Sequence, residues 1–135
     1  MSFLKRSEKL FVKKVVIVDD EKDIADLVKL VLETVEYSVR IVLDPTEAVE
    51  AIKDFKPSVV LLDLSMPKMN GWEVFKELRA DVETKDIPIG ILTAKSEDFD
   101  TMVGLHVMNA DGYITKPFGK QELIEKTDEL ISKRK

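Results

Sequence analysis

The 135-residue chain contains no cysteine, so no disulfide braces it and no thiolate can hold a metal. A single domain of this length buries enough core to fold without either. Its one histidine, His106, has no Cys, His or acidic partner at ligand spacing. This argues against a metal ligand or phosphohistidine and leaves a surface or structural residue. No apolar run approaches the ~18 residues of a membrane helix, so no membrane span is expected. The opening "MSFLKRSEKLFVKK" lacks the continuous apolar core and small-residue cleavage site of a secretory leader, and the expected compartment is the cytoplasm. Internal repeats, low-complexity tracts and linkers are absent as well. With a formal charge of −5 and basic residues gathered only at the two ends, no basic face is expected for nucleic acid.

What the chain does have is alternation. Apolar runs and amphipathic segments follow one another as "KVVIVDD" (14–20), "IADLVKLVLETV" (24–35), "YSVRIVL" (37–43), "TEAVEAIKDF" (46–55) and "SVVLLD" (58–63). Then come "WEVFKELRADV" (72–82), "IPIGILTA" (87–94), "SEDFDTMVGLHVM" (96–108), "GYITKPF" (112–118) and "KQELIEKTDELISK" (120–133). Ile24, Leu27, Val28, Val31 and Val35 recur at helical spacing, as do Leu123, Ile124, Leu130 and Ile131. "VVIV", "VVLL" and "IGIL" read as strands covered on both faces, whereas Arg40 marks "SVRIVL" as an edge. Five such βα units predict an α/β fold, a doubly wound five-stranded parallel sheet flanked by five helices. Asp44 or Thr46 can cap the second helix, with Pro45 in its first turn. Ser96 can open the fourth helix and Asn109 suits its stop.

Ligands of such sheets bind outside the carboxyl ends of the strands. The residues there are Asp19 and Asp20 after the first strand, Asp63 after the third, Thr93 after the fourth and Lys116 after the fifth. Carboxylates so close raise one another's pKa unless a cation neutralises them. With oxygen donors available and neither Cys nor a His cluster present, Mg²⁺ suits the site better than zinc. A carboxylate beside Mg²⁺ and a lysine can attack phosphorus, and the product would be an acyl phosphate on aspartate. Thr93 could then donate its hydroxyl to a phosphoryl oxygen and couple the modification to movement of the loop that follows. Each residue taken singly has a blander reading: solvated acids opening a helix for Asp19 and Asp20, a strand aromatic for Tyr113, a surface lysine for Lys116. The joint pattern at successive strand ends favours the site.

From about residue 13 onward the chain resembles a response-regulator receiver domain of the CheY type. The resemblance is carried by "VDDE" (18–21), "LLDLSMPKMNG" (61–71), "ILTA" (91–94) and "YITKPF" (113–118), in this order and spacing. It implies strand order 2-1-3-4-5 and phosphorylation of Asp63. It implies Mg²⁺ held by Asp20, Asp63 and the Ser65 backbone carbonyl, with Asp19 acting through water. Thr93 and Tyr113 would form the switch pair, and Lys116 would precede a cis bond at Pro117. The expected protein is a stand-alone, phosphoaccepting signalling domain rather than an enzyme, made of an extension (1–12) and a receiver (13–135). Its partners would be a sensor histidine kinase or histidine phosphotransfer protein and a separate downstream effector. The fourth helix, fifth strand and fifth helix would read out the state. The protein would be a monomer or a phosphorylation-dependent homodimer.

Two other readings use the same residues less well. A Mg²⁺-dependent phosphatase with an aspartate nucleophile, of the haloacid-dehalogenase kind, needs a second acid two residues on, where Ser65 stands. A flavodoxin-like FMN module needs a phosphate loop after the first strand, and "DDEKD" would repel phosphate. Gly104 predicts a loosely held fourth helix. Lys95 lies at the edge of the site, where its charge could alter loss of the phosphoryl group. Met66, Met69, Met102 and Met108 read as packing residues, and Trp72 packs at the start of the third helix. For residues 1–12 the sequence favours a disordered arm over a packed amphipathic turn or a partner or membrane-surface anchor.

Overall fold

The apolar runs that read as buried strands form the centre of a sheet. The computed structural model describes residues 13–64, 71–94 and 110–133. Within them run β1 (Lys13–Val18), α1 (Lys22–Glu33), β2 (Tyr37–Val42), a short 3-10 turn (Pro45–Glu47), α2 (Ala48–Phe55) and β3 (Val59–Asp63). They are followed by α3 (Gly71–Ala80), β4 (Ile89–Ala94), β5 (Gly112–Lys116) and α4 (Lys120–Ile131). All pairings are parallel, and the strand order β2-β1-β3-β4-β5 is the one expected. β2 and β5 lie at the edges, and exposed Arg40 on β2 pairs with Asp54 at 3.0 Å.

Successive strand residues point to opposite faces, and the two faces bury separate cores. Val16, Val18, Val60, Leu62, Ile89 and Ile91 pack beneath α2 and α3. Val15, Ile17, Val59, Leu61, Leu92 and Ile114 pack beneath α1 and α4. Each such side chain contributes about 1.5–3 kcal/mol when fully buried, so β1, β3 and β4 form a stiff platform. Arg79 ties the far end of that platform together. Its guanidinium donates to the Ile87 carbonyl at 2.7 Å and to Asp111 Oδ2 at 2.7 Å, while the same oxygen accepts from the Ile89 N–H at 2.8 Å.

Details of the helices depart from the expected faces. Helix α1 buries Ala25, Val28, Val31 and Leu32, while Leu27 and Val35 are exposed. The helix carries more leucine than one face can use, and it ends before Val35, in a turn where Glu36 adopts a φ of 70°. In α4 the buried stripe is completed by Thr127, whose hydroxyl donates to the Leu123 carbonyl at 2.7 Å and so enters the core satisfied. Asp44 caps the short 3-10 turn that Pro45 opens, accepting from the Thr46 N–H at 3.0 Å, whereas α2 itself starts after Glu47 with no side-chain cap, so neither Asp44 nor Thr46 caps the helix as expected. Trp72 packs edge-on against Phe75 at the start of α3. No described helix is long and apolar enough to cross a membrane. The expected fourth helix (96–108) with Gly104, His106, Ser96 and Asn109, and also Lys95, the four methionines and residues 1–12, lie outside the described residues.

Tyr37, at the start of β2, is buried beside α4, and its hydroxyl donates to Asp128 Oδ1. Lys13 Nζ sits 4.8 Å from the centre of the same ring. Burial, and then the bond to Asp128, raise the phenol above its ordinary pKa. The unfolded chain therefore ionises first, so the stability Tyr37 contributes is complete below about pH 10 and is lost as pH rises towards the folded value. Tyr37→Phe should cost about 1 kcal/mol at neutral pH. It should also flatten the fall of the urea midpoint between about pH 9 and pH 11, which equilibrium unfolding at a series of pH values would measure.

Candidate functional site

Register brings the acids together. Val18 of β1 pairs with Leu62 of β3, and one further step along both chains sets Asp19 beside Asp63. Asp20 follows in the turn, and single carboxylate oxygens of Asp19, Asp20 and Asp63 all lie within 4.8 Å of one another. Asp19 is fully buried, Asp63 is 4% exposed, and Asp20 faces solvent. The Asp19 main chain is anchored by its N–H donating to the Val42 carbonyl at 3.1 Å.

Lys116, the last residue of β5, supplies the positive charge. Its ammonium lies 2.9 Å from Asp19 Oδ2, 3.1 Å from Glu21 Oε1 and 3.6 Å from Asp63 Oδ1. Burial works against the ammonium, but the three acids more than offset it, and its pKa is raised. Asp19 is also raised: burial dominates over Lys116 and over the Glu21 N–H that donates to Oδ1 at 2.9 Å. Asp19 Oδ2 has the ammonium close by but no donor aligned on it as a hydrogen bond. One ammonium among four acids leaves the site short of positive charge. An oxygen-only donor set with a buried, undirected carboxylate oxygen and a solvent-facing side fits a hard divalent cation such as magnesium.

Thr93 near the end of β4 is buried and pairs in register with Thr115 of β5. Because Asp63 pairs with Leu92, Thr93 stands one step beyond it on the neighbouring strand. Tyr113 is not drawn into the acid cluster. It pairs with Ile91, two residues before Thr93, and is 36% exposed. The Lys116–Pro117 peptide is cis, as the resemblance implied. Ser65 lies outside the described residues.

Two contributors escaped the sequence reading. Glu21 stood there only within the acidic run, and its ion pair with Lys116 joins residues 95 positions apart. Gly71 stood there only as the last residue of the stretch 61–71. It begins α3, its N–H donates to the Leu64 carbonyl at 2.8 Å, and a Cβ there would fall 2.2 Å from the Asp63 carbonyl oxygen and 2.7 Å from Leu64 Cα. Only glycine lets the chain return so close beneath Asp63.

The family model for the response regulator receiver domain matches residues 15–128. Among solved structures, the chain is similar to a protein taken to be a response regulator from Chloroflexus aurantiacus J-10-fl. The two share 30% identity over 90% of this chain and 98% of that one, with a TM-score of 0.83. Chemotaxis protein CheY4 of Vibrio cholerae is similar at 28% identity, over 88% of this chain and 98% of that one, with a TM-score of 0.81. NtrX of Brucella abortus shares 26% identity over 90% of this chain but only 27% of its own length, with a TM-score of 0.82.

Gly71→Ala should force the backbone at Asp63 and Leu64 apart, with a cost of about 1–3 kcal/mol, as for other overpacked sites. Equilibrium urea unfolding of the variant would show the lowered midpoint.

Proposed function

Because the chain belongs to the family of response regulator receiver domains, we propose that it accepts a phosphoryl group on Asp63 and passes the signal to a separate partner. The observation that carries this reading is the convergence of Asp63 with Asp19, Asp20 and Lys116 at the carboxyl edge of the sheet. Asp63 is the innermost group of that cluster that still meets solvent, held by a strand buried along its whole length. Its carboxylate oxygen would form a bond to phosphorus as the bond from phosphorus to a donor histidine nitrogen breaks. The Lys116 ammonium would follow the phosphoryl oxygens as their charge redistributes, and the Thr93 hydroxyl would donate to one of them.

Asp20, Asp63 and the main chain of Ser65 would hold magnesium, with Asp19 contributing indirectly. When bound, magnesium supplies positive charge opposite the oxygens of the group in transfer. Thr93 and Tyr113, which lie on one face of β4 and β5 by register, would relay the change towards the surface formed by the fourth helix, β5 and the last helix. The donor would be a sensor histidine kinase or a histidine phosphotransfer protein, and the setting the cytoplasm. Residues 1–12 would stand apart from the receiver. The likeness to the chemotaxis protein CheY4 supports a role in signalling.

Incubation with acetyl phosphate and magnesium should give a single phosphoryl adduct by intact mass, absent from Asp63→Asn and suppressed by a chelator. An adduct on the variant at the wild-type level would remove Asp63 from the role. Sustained hydrolysis of a phosphomonoester without an adduct would favour a phosphatase instead.

A further inference from the structure

Lys116 sits closest to the wrong acids for a residue that serves Asp63. Its ammonium is 2.9 Å from Asp19 and 3.1 Å from Glu21, but 3.6 Å from Asp63. Asp19 is buried and its main chain is anchored at Val42, so that contact is fixed by the fold. Glu21 differs, because its side chain is 62% exposed. Its backbone is fully committed: the N–H donates to Asp19 Oδ1 at 2.9 Å and the carbonyl accepts from the Ala25 N–H at 3.0 Å. Yet at the N-cap of α1 its carboxylate makes no capping hydrogen bond. The side chain turns instead to the ammonium of Lys116.

We infer that Glu21 is a positioning residue that draws the Lys116 ammonium towards itself, holding it no closer than 3.6 Å to Asp63 in the unphosphorylated protein, and thereby slows phosphoryl acceptance. The inference rests on Asp63 as the acceptor. A phosphoryl group on Asp63 presents oxygens that compete with Glu21 for the same ammonium, so Lys116 must give up the Glu21 contact as the acyl phosphate forms. The Glu21 charge also opposes an approaching phosphate anion. Being screened by water, the contact is weak, which makes it a brake that a phosphodonor can overcome. A buried acid in the same place would hold the lysine too firmly.

The test uses the full chain with Glu21→Gln and Glu21→Asp. The first readout needs neither metal nor phosphodonor: the rate at which an amine-acylating reagent modifies Lys116, followed by peptide mass spectrometry. Glu21→Gln should speed that labelling about twofold to fivefold, the range open to an exposed ion pair. Glu21→Asp should fall between the two, and added salt should move wild type towards the Gln variant. A side chain that merely supports the helix end would not show that salt dependence. The second readout is the rate of adduct formation from acetyl phosphate with magnesium, expected to rise about twofold to fivefold in Glu21→Gln. A wild-type adduct on Asp63 with labelling or adduct formation unchanged or slower in Glu21→Gln would overturn the brake and leave the acceptor role standing. No adduct on wild type would overturn the acceptor role itself.

Discussion

The ion pair between Lys116 and Asp19, 2.9 Å long and shielded from water at both ends, is what makes the carboxyl edge of this sheet tenable. A carboxylate buried to the degree of Asp19 has lost most of its hydration, and without a cation beside it the folded state would favour the neutral acid. Lys116 supplies that cation from the far side of the sheet. β5 and β1 are separated by β3 and β4, so the pair spans the platform and closes only when all four strands are assembled in register. The site therefore reports on the whole fold. A slip of one residue in β3 would move Asp63 to the other face and break the cluster.

That constraint explains where the protein spends its most apolar sequence. β3 is buried at every position because its last residue must be held still against mutual repulsion of neighbouring acids. Gly71 serves the same end from outside the strand, since the chain comes back against the Asp63 carbonyl with no room for a side chain. Arg79 and Asp111 brace the opposite edge of the sheet, so that the strand ends near the site can carry charge while the other ends are cross-linked. Local order is bought at one edge and charge is concentrated at the other.

The sequence was legible where a single element decides the outcome. The runs at Val15–Val18 and Val59–Leu62 could be read as buried strands because no polar residue interrupts them. Asp63, Lys116 and the acids at 19 and 20 could be read as a site because each stands at a strand end. It was less legible where two distant elements meet. Leu27 fits the helical period of α1 as well as Leu32 does, but only the packed sheet shows which of them is buried. The closeness of Gly71 to Asp63 depends on how the chain returns, and nothing in its neighbours encodes that approach. Glu21 looks like any acid at a helix start until Lys116 arrives from the other end of the chain.

Strand alternation divides the residues of this sheet edge between its two faces. Continuing the alternation, Asp19, Asp63 and Lys116 follow Ile17, Leu61 and Ile114, which face α1 and α4. Thr93 follows Ile91, which belongs to the opposite core, and Tyr113 pairs with that same Ile91. The charged groups and the hydroxyl–aromatic pair thus descend from opposite faces of one rigid layer. Packed strands do not bend to pass a displacement through the sheet, so a group that must engage both sets can do so only beyond the strand ends. A phosphoryl group on Asp63 would project there, with oxygens available to Lys116 on one side and Thr93 on the other. The same layer that fixes the acids would then keep Lys116 and Thr93 apart until such a group linked them.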